Sequence, residues 1–278
     1  MTIKRVLLPL AGLDGARPLA ECAFLVGRLH QAQVRGLLVQ QPRLNFAFGG
    51  ENADPELIRR VVEESHERIA KTRKQVADML GTIAAANPSV EFVSSAEEGD
   101  IGAAVTRAAR LADITVVAAG TRHLDAAWQE VREAALFQSG RPVLVVPGAG
   151  VSEDHFDRVV IAWKESIEAV RAVTAAQPFL LHAREVHLLT IGEGEPAIAS
   201  LADVEQYLQL HYAEIESEII PEVRGRKAAE VLLDRTRDLG GALLVMGAYS
   251  HWRWRQQVFG GVTQAILSET ETPVLMAH

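Results

Sequence analysis

Apolar residues along this chain fall into short continuous runs, the pattern of strands covered on both faces by helices. Val6–Leu10, Val34–Gln40, Val90–Ser94, Ile114–Ala119 and Pro142–Val146 make one series of five. Val159–Trp163, Val186–Ile191, Ile215–Ile220, Ala242–Met246 and Pro273–Ala277 make a second. Helical spacing lies between them, at Pro18–Gln31, Pro55–Ala85, Ile101–Leu111, Ile167–His182, Lys227–Leu239 and Val262–Glu269. This alternation predicts an α/β fold with parallel sheets and right-handed crossovers.

The two series echo each other. Lys4-Arg5-Val6-Leu7-Leu8 matches Asp157-Arg158-Val159-Val160-Ile161, Ile114–Val117 matches Leu243–Met246, and Arg141–Val145 matches Thr272–Met276. A duplicated five-stranded unit accounts for the 278 residues, since one core of roughly 140 residues is an ordinary domain. The expected domains are 1–150 and 155–278, joined by Pro147-Gly148-Ala149-Gly150 and Ser152-Glu153-Asp154. Each unit ends in an apolar strand, and such a strand at a sheet edge must be covered. Pairing the two last strands covers both, either within one chain as a pseudo-dimer or between chains as a homodimer. The sequence leaves both open.

Composition narrows the function. A net charge of -8 offers no basic field for a phosphate backbone or an anionic membrane. No run of about 20 apolar residues spans a bilayer; Pro9 and Asp14 break the one signal-like stretch at the amino terminus. The single cysteine, Cys22, excludes an internal disulfide and suits a reducing cytoplasm. The nine histidines include no His-x3-His or His-Glu-x-x-His, so they read as turn and surface residues, with His211 on a short helix. No metal site, Gly-x-Ser-x-Gly elbow, P-loop or dinucleotide fingerprint is present, and Gly192-Glu193-Gly194 reads as a turn without an adjoining helix.

The informative stretch is Met246-Gly247-Ala248-Tyr249-Ser250, a basic loop with Trp252, Arg253, Trp254 and Arg255, and then Phe259-Gly260-Gly261-Val262-Thr263. A glycine ends a buried strand, and a glycine pair opens a helix. Open parallel sheets bind ligands beyond the carboxyl ends of their strands, and amides at a helix start hold phosphate oxygens beside the positive end of the dipole. The plainer reading is that Gly247 ends a strand, Gly260 and Gly261 make a turn, and the arginines are solvated. The tryptophans fit either a contact surface or an apolar edge between domains, and Asn45–Asn52 a lid or contact loop.

This stretch resembles the universal stress protein family, whose nucleotide-binding members carry Gly-x2-Gly-x9-Gly followed by Ser or Thr after the fourth strand. Gly247 and Gly260 match the first and third glycines; Ser250 replaces the second, and Gly261 stands where Ser or Thr is usual. The resemblance covers the chain as two copies of the adenine nucleotide alpha hydrolase-like (Rossmann-like) sheet. It implies that Met246, Gly247, Ser250, Gly260, Gly261, Val262 and Thr263 line a ribose and phosphate site. Ala162, Trp163 and Lys164 with Ile191 would face the base. Lys164 takes the place of an Asp common in ATP-binding members; a lysine accepts no hydrogen bond but can turn toward a phosphate.

In the first half, Glu133 stands thirteen residues beyond Gly120, and counting back from the last strand reaches Gln129-Glu130. Acidic side chains there repel phosphate, so the first half is not expected to hold a nucleotide in the same manner. The implied protein is a cytoplasmic stress-response regulator that binds ATP, ADP or AMP, with Mg2+ left open, in its second domain. Occupancy would bias contacts with an unknown protein partner. No general base is placed for rapid phosphoryl transfer, so it is not expected to act as an enzyme beyond slow ATP hydrolysis. The alternatives are an interaction module of the same fold without a nucleotide, and an enzyme of the wider superfamily.

Overall fold

The computed structural model describes residues 2–41, 55–120, 126–192, 194–212, 214–222, 225–240, 242–248 and 261–278. Ten strands form one sheet: β1 (Arg5–Leu10), β2 (Gln33–Gln40), β3 (Phe92–Glu98), β4 (Ile114–Ala118), β5 (Val143–Val146), β6 (Arg158–Ala162), β7 (Glu185–Ile191), β8 (Glu216–Ile220), β9 (Leu243–Gly247) and β10 (Val274–Ala277). Their order is β3-β2-β1-β4-β5-β10-β9-β6-β7-β8. Every pairing is parallel except β5 with β10, where Leu144 faces Leu275 in an antiparallel ladder. The two last strands therefore cover each other within one chain.

Helices α1 (Ala16–His30), α2 (Pro55–Ala86), α5 (Ile167–Leu180) and α6 (Glu195–Gln209) cover one sheet face; α3 (Ile101–Ala109), α4 (Ala126–Gln138), α7 (Ala228–Asp238) and α8 (Gly261–Glu269) cover the other. Successive strand residues point to opposite faces, so Leu8 and Leu144 join the first core while Leu7 and Val145 join the second. All four are fully buried, which is why the strands read as unbroken apolar runs. Cys22 lies in the first core, and burial pushes its thiol up to about 12, leaving it unreactive.

Several elements differ from the sequence reading. β3 begins at Phe92, since Val90 is buried in the preceding turn. β3 is also an exposed edge strand, and Glu97 and Glu98 pair with Arg107 and Arg73 at 2.8 and 2.9 Å. Gly194 does adjoin a helix: it caps α6 with φ 92°, a left-handed angle that glycine adopts freely. Pro196 in the first turn and buried Leu201, Val204 and Leu208 were the legible signs of that helix. His211 lies just past α6, not within it. Helix α4 was likewise unread, although Trp128, Val131 and Ala135 mark its buried stripe. The lid expected at Asn45–Asn52 and the tryptophan loop at 252–254 lie outside the described residues.

The two halves superpose in register. Val6 pairs with Ile114 as Val159 pairs with Leu243, and Ala118 pairs with Val146 as Gly247 pairs with Ala277. One residue further, Ala119 N–H donates to Val146 O and Ala248 N–H to Ala277 O, both at 2.8 Å. Ala118, not Gly120, therefore stands at the position of Gly247. Gly120 sits two residues past it and donates its N–H to Leu267 O of α8 at 2.5 Å, linking the halves.

Candidate functional site

The carboxyl ends of β6, β7 and β9 lie side by side, because Ala162 is flanked by Leu189 on one side and Met246 on the other. Trp163 continues beyond the ladder: its N–H donates to Leu189 O at 2.7 Å, its carbonyl accepts from Thr190 Oγ1 at 3.2 Å, and its indole N–H donates to Ser200 Oγ at 3.0 Å. The last bond ties the strand end to α6, an element the sequence reading lacked. So pinned, residue 163 holds Lys164 exposed at the same sheet end, and among the described residues Lys164 makes no ion pair. Ile191, half-buried, closes β7 beside them.

Gly247 has a steric reason to be glycine. A Cβ there would stand 2.6 Å from Ala169 N and 2.7 Å from Glu168 C, in the backbone of the first turn of α5. That turn is held by Ser166, whose Oγ accepts from Ala169 N–H at 3.1 Å. Met246 before it is buried. The glycine thus seats α5 against the strand end and needs no ligand to explain it.

At Gly261, the first residue of α8, a Cβ would meet nothing within 4 Å. Val262 is half-buried and Thr263 buried. Ser250 and Gly260, the other two residues expected here, lie outside the described residues.

The first half differs at the matching places. The turns after α4 and α8 are equivalent: Ser139 Oγ accepts from Arg141 N–H at 3.0 Å, and Thr270 Oγ1 from Thr272 N–H at 3.2 Å. Counting back nine residues from each puts Glu130 opposite Gly261, and seven puts Arg132 opposite Thr263. Glu130 Oε1 accepts from Gly102 N–H at 2.9 Å, and Asp100 Oδ1 from Ala103 N–H at 2.6 Å, so two carboxylates cap two N–H groups in the first turn of α3. The Arg132 guanidinium covers Gly120, its Nη1 2.6 Å from where a Cβ would be. Of the two acidic positions reached by counting, Glu130 is the one that aligns with Gly261 and caps α3, while Glu133 accepts from Gln129 Nε2 at 2.7 Å.

Removing the Glu130 carboxylate as Glu130→Ala should cost about 1 kcal/mol of stability through the lost cap, a fall in Tm of about 2–4 °C. Urea unfolding of the variant measures it, and an unchanged midpoint would mean that Asp100 alone satisfies α3.

Among the described residues no group of three or more His, Cys, Asp or Glu is arranged to hold a metal ion, and no helix is long and apolar enough to cross a membrane.

These features define an α/β protein with a doubled open sheet whose halves differ beyond the strand ends: at Gly261, the start of α8, a Cβ would meet no described residue within 4 Å, whereas the matching Glu130 reaches across to the first turn of α3. Residues 155–278 match the sequence model of the universal stress protein family. A universal stress protein from Archaeoglobus fulgidus DSM 4304 is similar over 98% of this chain and 97% of its own, with 16% identity and a TM-score of 0.73. A putative universal stress protein from Pseudomonas aeruginosa UCBPP-PA14 is similar over 99% and 93%, with 12% identity and a TM-score of 0.59. The cytoplasmic domain of a prokaryotic cation chloride cotransporter covers 100% and 96%, with 11% identity and a TM-score of 0.53. At such identities these likenesses establish the fold across the whole chain. No curated protein matches the sequence.

Proposed function

We propose that the chain is a two-domain regulator, divided at 1–150 and 155–278, whose second domain binds an adenine nucleotide beyond the carboxyl ends of β6, β7 and β9. The observation that supports this reading is the exchange of Glu130 for Gly261: in the first half a carboxylate stands at this position and caps α3, and in the second no described residue lies within 4 Å of where a Gly261 Cβ would be. The amides of Gly261, Val262 and Thr263 would hold phosphate oxygens, an anion suited to the positive end of α8. Lys164, without an ion-pair partner among the described residues, would add a cation from β6. Trp163, Ala162 and Ile191 would flank the base, with Met246, Gly247, Ser250 and Gly260 completing the ribose side.

Binding would alter the surface offered to a protein partner in a stress response, in the cytoplasm that the lone buried Cys22 suits. The described strand ends supply no general base beside the phosphates, so turnover of ATP, with or without Mg2+, would be slow.

Mass analysis of small molecules released from freshly purified protein, with calorimetric titration of ATP, ADP and AMP, tests the reading. Near-stoichiometric nucleotide or saturable binding is expected. A clean protein with flat titrations overturns it and favours an interaction module of the same fold, for which the packing role of Gly247 is the supporting observation.

A further inference from the structure

His30 ends α1 and His182 follows α5, so the carboxyl ends of one helix from each half meet on one sheet face. Their rings lie edge to face with centroids 5.4 Å apart. His30 also meets Phe179 edge-on at 5.0 Å, and Phe179 stacks on Phe156 at 5.3 Å. The Nε2 atom of His30 is buried with no hydrogen-bond partner. His182 Nδ1 lies 2.8 Å from Pro178 O, which makes that nitrogen a donor.

The charged groups on the surrounding elements are engaged elsewhere. Arg28 of α1 pairs with Glu153 at 2.8 Å and donates to Asn87, just past α2, at 3.4 Å. His155 bonds to Ser152, Arg184 pairs with Asp157 at 3.5 Å, and Asp113 accepts the N–H groups of Lys4 and Arg5 at 2.8 and 2.9 Å. Among the described residues no carboxylate bonds to either imidazole, so a proton arriving at this contact finds no counter-charge.

We infer that the His30–His182 contact is an acid-sensitive catch between the two halves: a neutral His30 ring lets the ends of α1 and α5 meet, and its protonation drives them apart. A proton on His30 would then put a cation near the negative end of the α1 dipole but held against the His182 imidazole and an apolar ring. Burial, and next the proximity of His182, push the His30 pKa down from 6.5 to about 4. A base whose value is lowered in the docked state favours docking fully above its ordinary value. That preference is lost as the pH falls from about 6.5 toward about 4. The register partners of the β5–β10 ladder are Val143, Leu144, Val145, Val274, Leu275 and Met276, none of which titrates. The sheet thus stays joined while the helix ends separate.

Hydrogen exchange of the full chain at about pH 7 and about pH 4.5, corrected for the intrinsic rate, tests this. The last turns of α1 and α5 should lose protection by about tenfold or more in acid, with β5 and β10 unchanged. His30→Phe keeps a ring against Phe179 and cannot titrate, so the acid response should vanish. If that variant does not fold, His182→Asn, which keeps a donor and removes the ring that faces His30, should weaken the response severalfold. The inference is overturned if the folded variant responds like the natural chain, or if α1 and α5 lose protection only in step with β5 and β10.

Discussion

Gly261→Glu is expected to cut nucleotide affinity by about a hundredfold or more while changing stability by no more than about 0.5 kcal/mol. The substitution gives the second half the residue that the first half carries at Glu130. A Cβ at Gly261 would meet none of the described residues within 4 Å, and a carboxylate in the first turn of α8 suits the helix dipole. The same carboxylate would occupy and charge the place proposed for a phosphate, and two like charges a few ångströms apart repel by several kcal/mol at intermediate dielectric. Gly261→Ala, which adds only the unobstructed Cβ, should bind within a few-fold of the natural chain. Calorimetry on both variants, with urea unfolding as the control, separates charge from bulk. Equal affinity for the glutamate variant would remove the proposed phosphate position.

Gly247→Val should act in the opposite way, destabilising the chain by about 3 kcal/mol whether or not nucleotide is present. Its Cβ would press on backbone atoms of residues 168 and 169, and backbone held by a helix cap cannot turn aside as a flexible side chain does. Either α5 shifts away from β9 or β9 bends, and both disturb the fully buried contacts of Val245 and Leu275. Urea unfolding without ligand reads this directly. A stability equal to that of the natural chain would show that the close approach of α5 to Gly247 is not maintained. The two glycines share one motif, yet one answers to packing and the other to open space.

Legibility followed burial. The apolar runs located all ten strands, eight of which are largely covered; of the two edge strands, β3 and β8, which hold no buried residue, β3 was misplaced by two residues at its start. Helices α4 and α6 were missed for a different reason. In α4 the acidic residues that drew attention, Glu130 and Glu133, are a cap and a lateral bond rather than signs of a loop. In α6 the paired glycines masked the capping role of Gly194. Counting back from the last strand already reaches Gln129-Glu130 in the sequence, but the true counterpart of Gly247 needed the strand register, since a count from Gly120 begins two residues late.

By itself the sequence determined the doubled α/β plan and the place of Gly261 at the start of the last helix, because hydrophobic runs and glycines act locally. Only the tertiary structure decided that β5 and β10 pair within one chain, that Glu130 reaches Gly102, that Trp163 is bound to Ser200 and that His30 meets His182. Each of these joins residues far apart along the chain, and such contacts depend on how the sheet and helices are brought together.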